Sequence, residues 1–167
     1  MSAAIVGDDG LARCAWGASD PEYRRYHDEE WGVPLHGDRP LFEKMSLEGF
    51  QAGLSWITIL RRRPGFREVF HAFELAAVAA MTPADADALM LDARIIRNRA
   101  KIEATISNAR IALELTTGDE GALDRLMWGF APPARAAPGA RATPNTAATT
   151  TRSGGFRCTA TARSSRR

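Results

Sequence analysis

Apolar positions recur at helical spacing from residue 19 to about residue 130. Leu41, Phe42, Met45, Gly49 and Ala52 fall on one arc of a helix over residues 40–53, and Ile102, Ile106, Ala109 and Leu113 make a stripe on a later one. Start signals accompany this periodicity. Asp20-Pro21, Thr82-Pro83 and the segment beginning at Asp38 each put a side-chain oxygen at an N-cap position. In the first two, proline follows at N1, where its missing N–H costs nothing. Six or seven helices are predicted. No run of alternating polar and β-branched residues competes with them, so the class is all-α, a helical bundle.

The pattern stops after Phe130. Residues 131–167 contain no Leu, Ile, Val, Met, Trp or Tyr and only Phe156 as a large apolar side chain. Such a segment cannot bury enough apolar surface to offset the roughly 1–2 kcal/mol per residue that ordering a backbone costs. The expected organisation is a flexible N-terminus (1–10), a helical domain (11–130) and a disordered Ala/Thr/Pro/Arg-rich tail (131–167). Two readings of the tail compete: a flexible basic arm that touches phosphates, and a chain continued out of frame. The second is favoured because residues 124–130 form a strong helical segment that should pack against something further on, and nothing further on can receive it.

Composition narrows the class of protein. Hydrophobic residues make up 45% and charged residues 25%, which suits a globular domain and implies neither global disorder nor a disulfide scaffold. No apolar run approaches the roughly 18 residues of a membrane span, and no basic stretch with an apolar signal core opens the chain. A cytoplasmic protein with no membrane partner is expected. The two cysteines, Cys14 and Cys158, lie in segments of very different character and read better as free thiols or a metal ligand than as a disulfide. The formal net charge of +2 hides an asymmetry. Residues 131–167 hold seven of the 22 basic residues and none of the 20 acidic ones, leaving 15 against 20, a net −5, in residues 1–130. The basic balance therefore comes from the tail and says little about nucleic-acid binding by the helical part.

Five features of the helical part bear on chemistry. Glu48 stands inside the apolar arc, seven residues from Leu41 and three from Met45, so a core-facing helix carries a carboxylate that needs hydrogen-bond partners or a cation. The plain alternative is a helix cap or an arginine pair. The stretch Gln51-Ala-Gly-Leu-Ser-Trp56 is a small-residue break between helices, with Ser55 placed to cap a helix over 56–62. Such a turn can approach a phosphate backbone closely and is equally an ordinary helix corner. Aromatic rings concentrate near the front of the chain, at Trp16, Tyr23, Tyr26, Trp31, Phe42, Phe50 and Trp56. Most are expected in the core, with some lining a cavity. Finally, two helices at about 83–91 and 97–115 flank the short Asp92-Ala-Arg-Ile-Ile96 turn, and the second begins with Arg97, Asn98, Arg99 and Lys101. This resembles a helix-hairpin-helix, which grips one DNA strand without reading its sequence, and as a bare pattern is also any helical hairpin with a solvated basic end. Cys14 and His27 are zinc ligands by type, without the paired spacing of a zinc motif.

Several strings carry a family resemblance: Cys14-Ala-Trp16, Tyr26-His27-Asp28-Glu29-Glu30-Trp31-Gly32-Val33-Pro34, Leu47-Glu48-Gly49, Gln51-Ala52-Gly53-Leu54-Ser55-Trp56-Ile57-Thr58 and Ile95-Ile96-Arg97-Asn98-Arg99. Over about residues 11–130 the chain resembles the 3-methyladenine DNA glycosylase I family. The resemblance implies a bundle of the helix-hairpin-helix glycosylase type, here truncated. It also implies hydrolysis of the N-glycosidic bond of N3-methyladenine in alkylated double-stranded DNA, leaving an abasic site, by a monomer. By the same resemblance, Glu48 is the base-binding and catalytic carboxylate, and Trp16, Tyr26 and Trp56 surround the purine. Gly53, Leu54, Ser55, Arg97, Arg99 and Lys101 meet the DNA. Cys14 and His27 supply half of a structural zinc site whose other two ligands are absent, so zinc should be held poorly.

Two departures from the family stand out. Arg94 occupies a hairpin position that is glycine in the family, and strain of about 1–2 kcal/mol is expected there if that position needs positive φ. The family's C-terminal part has no counterpart after residue 130. The rival to the enzyme is therefore a catalytically inactive remnant that binds DNA non-specifically through its basic tail.

Overall fold

The structure, a computed structural model, describes residues 4–132. The expectation of disorder after residue 131 thus lies almost wholly outside the described residues. Eight α-helices account for most of the described chain, as expected for the all-α class. They fall in two compact units, one ending at Pro34 and the other spanning Leu35–Ala131.

The first unit opens with an antiparallel strand pair that the periodicity did not predict, β1 (Ile5–Val6) and β2 (Ala12–Arg13). Two residues are too few to alternate visibly. The pair draws the latter part of the N-terminal stretch expected to be flexible into a hairpin. The short helix α1 (Ala15–Ala18) follows, then α2 (Pro21–Glu29), whose Asp20 cap accepts from the Glu22 N–H with Pro21 in the first turn, as the sequence implies.

The second unit contains α3 (Asp38–Gln51), α4 (Trp56–Val69), α5 (Leu75–Ala79), α6 (Pro83–Leu91), α7 (Arg99–Thr116) and α8 (Ala122–Trp128). Its core is built on phenylalanines. Phe42, Phe50, Phe66, Phe70 and Phe73 are each at most 2% exposed, with neighbouring ring centroids 4.6–6.4 Å apart. Burial of Phe66 explains why α4 continues past Pro64 and does not stop near residue 62: a buried phenylalanine contributes about 1.5–3 kcal/mol, comparable to the roughly 3 kcal/mol an interior proline costs. The turn after α4 holds His71, Ala72 and Phe73 at φ of 51°, 52° and 58°, a strained left-handed run that seats Phe73 in the core.

Two expectations need correction here. On α3 the buried positions are Leu41, Phe42, Ser46, Leu47 and Phe50, whereas Met45, Gly49 and Ala52 are exposed. The arc was drawn through small residues, and the large side chains two and three positions away decide the face. Asp38 does not cap α3: Gly37 holds the cap position, and the Asp38 carboxylate accepts instead from the N–H groups of Gly121 and Asp124 at the start of α8. Helix α8 is anchored on the start of α3, while Leu126, Met127 and Phe130 stay exposed, so the expectation of a further partner stands untouched. Its Asp124 accepts from the Gly37 N–H, and Trp128 stacks on His36 and donates to the Leu35 carbonyl. The first turns of α3 and α8 thus cap each other.

The hairpin matches its prediction closely. Thr82 and Asp85 form a reciprocal capping box at the start of α6, Asn98 caps α7, and Ile102, Ile106 and Ala109 are buried. Arg94 has no left-handed backbone, since the only non-glycine residues with positive φ among the described residues are the three after α4. The strain expected at Arg94 is therefore absent. The glycine that matters here is Gly65 on α4, where an added Cβ would lie 2.8 Å from the Arg94 Cβ and 3.0 Å from its carbonyl oxygen. Gly→Ala in a helix ordinarily gains about 1 kcal/mol, but forcing a methyl into closed space costs about 1–3 kcal/mol. Gly65→Ala is expected to destabilise the chain by about 1 kcal/mol net in urea unfolding, and a gain in stability would contradict this packing.

Candidate functional site

The residues implied by the sequence divide between the two units: Cys14, Trp16, Tyr26 and His27 in the first, Glu48, Trp56 and the basic turn in the second. In the first unit Trp16 is the hub of a ring cluster. Tyr23, His27 and Trp31 meet it edge-on at 5.4, 5.1 and 5.5 Å, and Tyr26 lies tilted at 6.3 Å. Tyr26 is buried, whereas Trp31 is half exposed. Gly17 allows this approach, because a Cβ there would fall 2.7 Å from the His27 ring.

Beneath the rings lies an ion pair that sequence reasoning missed. Arg13, only 4% exposed, donates through Nε and Nη2 to Asp28 and through both terminal nitrogens to Asp9. Its guanidinium holds the Asp28 carboxyl below the usual carboxylate range. Ionised Asp28 in turn lies 3.0 Å from His27 Nδ1, and His27 Nε2 accepts from the Cys14 N–H at 3.4 Å. A carboxylate on one ring nitrogen with the other turned toward a second ligand type is the orientation a metal-bound histidine uses. The fit to zinc ends there. Among the described residues no group of three or more His, Cys, Asp or Glu converges on a metal position. Cys14 is disulfide-bonded, which corrects its reading as a free thiol, and a sulfur so bonded offers no thiolate. That reading rested on the composition around each cysteine, which does not limit where a sulfur can reach.

In the second unit, Glu48 is not the buried carboxylate the apolar arc implied. With Met45 and Gly49 turned outward, Glu48 is 49% exposed. Its Oε1 lies 2.7 Å from the Lys44 ammonium, one helical turn back, and the same ammonium sits 4.0 Å from the ring centroid of Trp56 at the start of α4. Helix α3 supplies the carboxylate, α4 supplies the indole face, and a single positive charge is shared between them. The Lys44–Glu48 spacing was legible in the sequence. The indole was not, because it reaches Lys44 only through the α3–α4 corner.

That corner is the small-residue break. Gly53 has φ +83°, where a side chain would be strained, and the Leu54 N–H closes the turn onto Gln51. Gly53, Leu54 and Ser55 are exposed, and Ser55, at the cap position of α4, bonds the Thr58 hydroxyl and no backbone N–H. The Lys101 ammonium donates to the carbonyls of Phe50 (2.9 Å) and Ala52 (2.6 Å), which seats the start of α7 against this turn. Lys101 is thus committed inward, to the carbonyl end of α3, where a cation is favoured. Arg97 is exposed, and Arg99 pairs with Asp87 and Glu103.

Geometry defines the class only as a helical protein that presents a carboxylate and an indole around one cation, next to a glycine turn and a capped hairpin. Comparison with known proteins narrows the class: residues 16–157 match the family described as methyladenine glycosylase, and the chain belongs to that family. It is 48% identical over 120 residues to DNA-3-methyladenine glycosylase 1 of Escherichia coli (strain K12), covering 72% of this chain and 64% of that protein. To the DNA-3-methyladenine glycosylase of Haemophilus influenzae it is 46% identical, covering 71% of this chain and 63% of the relative. Among solved structures it is similar to a variant of 3-methyladenine DNA glycosylase I in complex with 3-methyladenine. The TM-score there is 0.65 at 38% identity, covering 70% of this chain and 62% of that one. The chain therefore spans a little under two thirds of the length of these relatives.

Proposed function

We propose that the chain excises N3-methyladenine from alkylated double-stranded DNA by hydrolysing the N-glycosidic bond, releasing the base and leaving an abasic site. The observation that supports this reading is the Lys44 ammonium held between Glu48 and the face of Trp56, since a carboxylate beside an aromatic plane suits a positive charge. An N3-alkylated adenine in DNA carries positive charge and is already a good leaving group, so the work left to the protein is extrusion, recognition and modest charge stabilisation. A carboxylate and an indole face both favour a cationic ring over a neutral one. Glu48 and Trp56 are the base contacts of the second unit. Glu48 is the catalytic carboxylate, acting through charge and hydrogen bonding and not as a nucleophile.

The DNA backbone is met by Gly53, Leu54 and Ser55 and by the start of α7, read as the second helix of a helix-hairpin-helix. Arg97 and Arg99 face the phosphates, and Lys101 acts by holding the turn in place. The enzyme works as a monomer in the cytoplasm. Binding of free 3-methyladenine and of adenine, followed by tryptophan fluorescence, tests the base site. A preference for 3-methyladenine of about tenfold or more, some 1.4 kcal/mol, is expected, and equal affinities would remove the reading.

Zinc is expected from the resemblance, but the described residues offer only His27 and a disulfide-bonded Cys14. Elemental analysis should therefore find well below one zinc per chain. A stoichiometric, tightly held ion would contradict this and require ligands outside this pair.

A further inference from the structure

Lys44 takes the position that the reading above gives to the positive charge of the base. Its ammonium is 2.7 Å from Glu48 Oε1 and 4.0 Å from the Trp56 centroid, so the carboxylate and indole face proposed to receive the base are already engaged. We propose that Lys44 is an internal competitor for the base site, an autoinhibitory side chain that must leave before Glu48 and Trp56 can hold a purine. The inference rests on the assignment of Glu48 and Trp56 to the base.

Three observations support competition over a purely structural role. The pair runs from Lys44 to Glu48, with the lysine on the N-terminal side, which is the weaker orientation for helix stabilisation at this spacing. Lys44 and Glu48 are 36% and 49% exposed, so the ammonium can move into water at little cost and the contact is readily broken. The long flexible stem also lets the head group leave without moving α3. A displaceable cation of this kind weakens every ligand needing the same atoms by one common factor, about three- to tenfold for an exposed ion pair plus an exposed cation–π contact. It thereby raises the affinity a base must have before the site fills.

The test is the affinity of the full chain for 3-methyladenine and for adenine, compared across Lys44→Met, Lys44→Gln, Lys44→Arg and Glu48→Gln, with folding checked by thermal melting. Lys44→Met and Lys44→Gln should each bind both bases about three- to tenfold more tightly, and Lys44→Arg, which keeps the charge, should stay within about twofold of the parent. With neutral adenine as the ligand, added salt should tighten binding to the parent by weakening the internal pair and leave Lys44→Met unaffected, a response a merely structural lysine would not give. If Glu48→Gln weakens binding while both neutral Lys44 variants match the parent, Lys44 is not a competitor and the base site stands. If Glu48→Gln binds as well as the parent, or neither the parent nor Lys44→Met binds 3-methyladenine, the base-site assignment falls and takes this inference with it.

Discussion

Glu48→Gln should lower release of 3-methyladenine from methylated DNA by about ten- to hundredfold while leaving the fold intact. Glutamine preserves the length of the side chain and one acceptor oxygen but removes the charge. A hydrogen bond to a charged group contributes about 1.5–3 kcal/mol, which sets the expected loss. Stability should barely change. Glu48 pairs with Lys44 one turn back on the same exposed helix face, and such pairs are worth about 0.3–0.5 kcal/mol. Activity and stability are thus expected to separate at this residue. Equal losses in both would mean that Glu48 supports the helix and not the base. Steady-state release and thermal melting of the same preparations decide between these.

Asp38→Ala should produce the largest loss of stability, about 1–3 kcal/mol, through the junction of α3 and α8. Its two oxygens satisfy the N–H groups of Gly121 and Asp124, both at the start of α8, and alanine leaves both donors without that acceptor. For a unit of this size the corresponding fall in Tm is roughly 5–15 °C. Asp124 returns the interaction by accepting from the Gly37 N–H and lying 3.1 Å from His36 Nδ1. Removing both aspartates should therefore cost less or more than the sum of the single losses, since the two caps share one junction. The Asp124 carboxyl is held below its ordinary pKa, first by the Gly37 N–H and then by His36. A depressed carboxylate stabilises the fold fully above its unfolded pKa of about 4, and that contribution disappears as pH falls through the lower folded value. An acid titration of stability should show this loss in the parent chain and not in Asp124→Asn. A parent and variant with the same acid dependence would place the loss elsewhere.

What could be read from the sequence was mostly what is local. Asp20-Pro21 and Thr82-Pro83 start helices because the cap and its N–H groups lie within three residues, and the hairpin of α6 and α7 follows from a stripe carried by one helix. The misreadings share a cause. Asp38 caps a helix more than 80 residues away, and Glu48 faces outward because Phe42, Leu47 and Phe50 outweigh Met45, Gly49 and Ala52. No helical period contains those facts. Arg94 shows the same limit in reverse. The family's glycine suggested backbone strain at that position, whereas the close approach belongs to Gly65, whose relation to Arg94 exists only after folding. The residues proposed for the base were named through resemblance. Lys44 was not, because its role depends on the indole that the α3–α4 corner brings to it.

The central claim is that this chain, whose match covers 64% of its E. coli relative, carries a working base site. Its most direct test is release of 3-methyladenine from methylated duplex DNA by the purified 167-residue chain. The account predicts release of the methylated base above the uncatalysed rate, with no release of adenine from unmethylated DNA. A folded chain that releases no 3-methyladenine would contradict it.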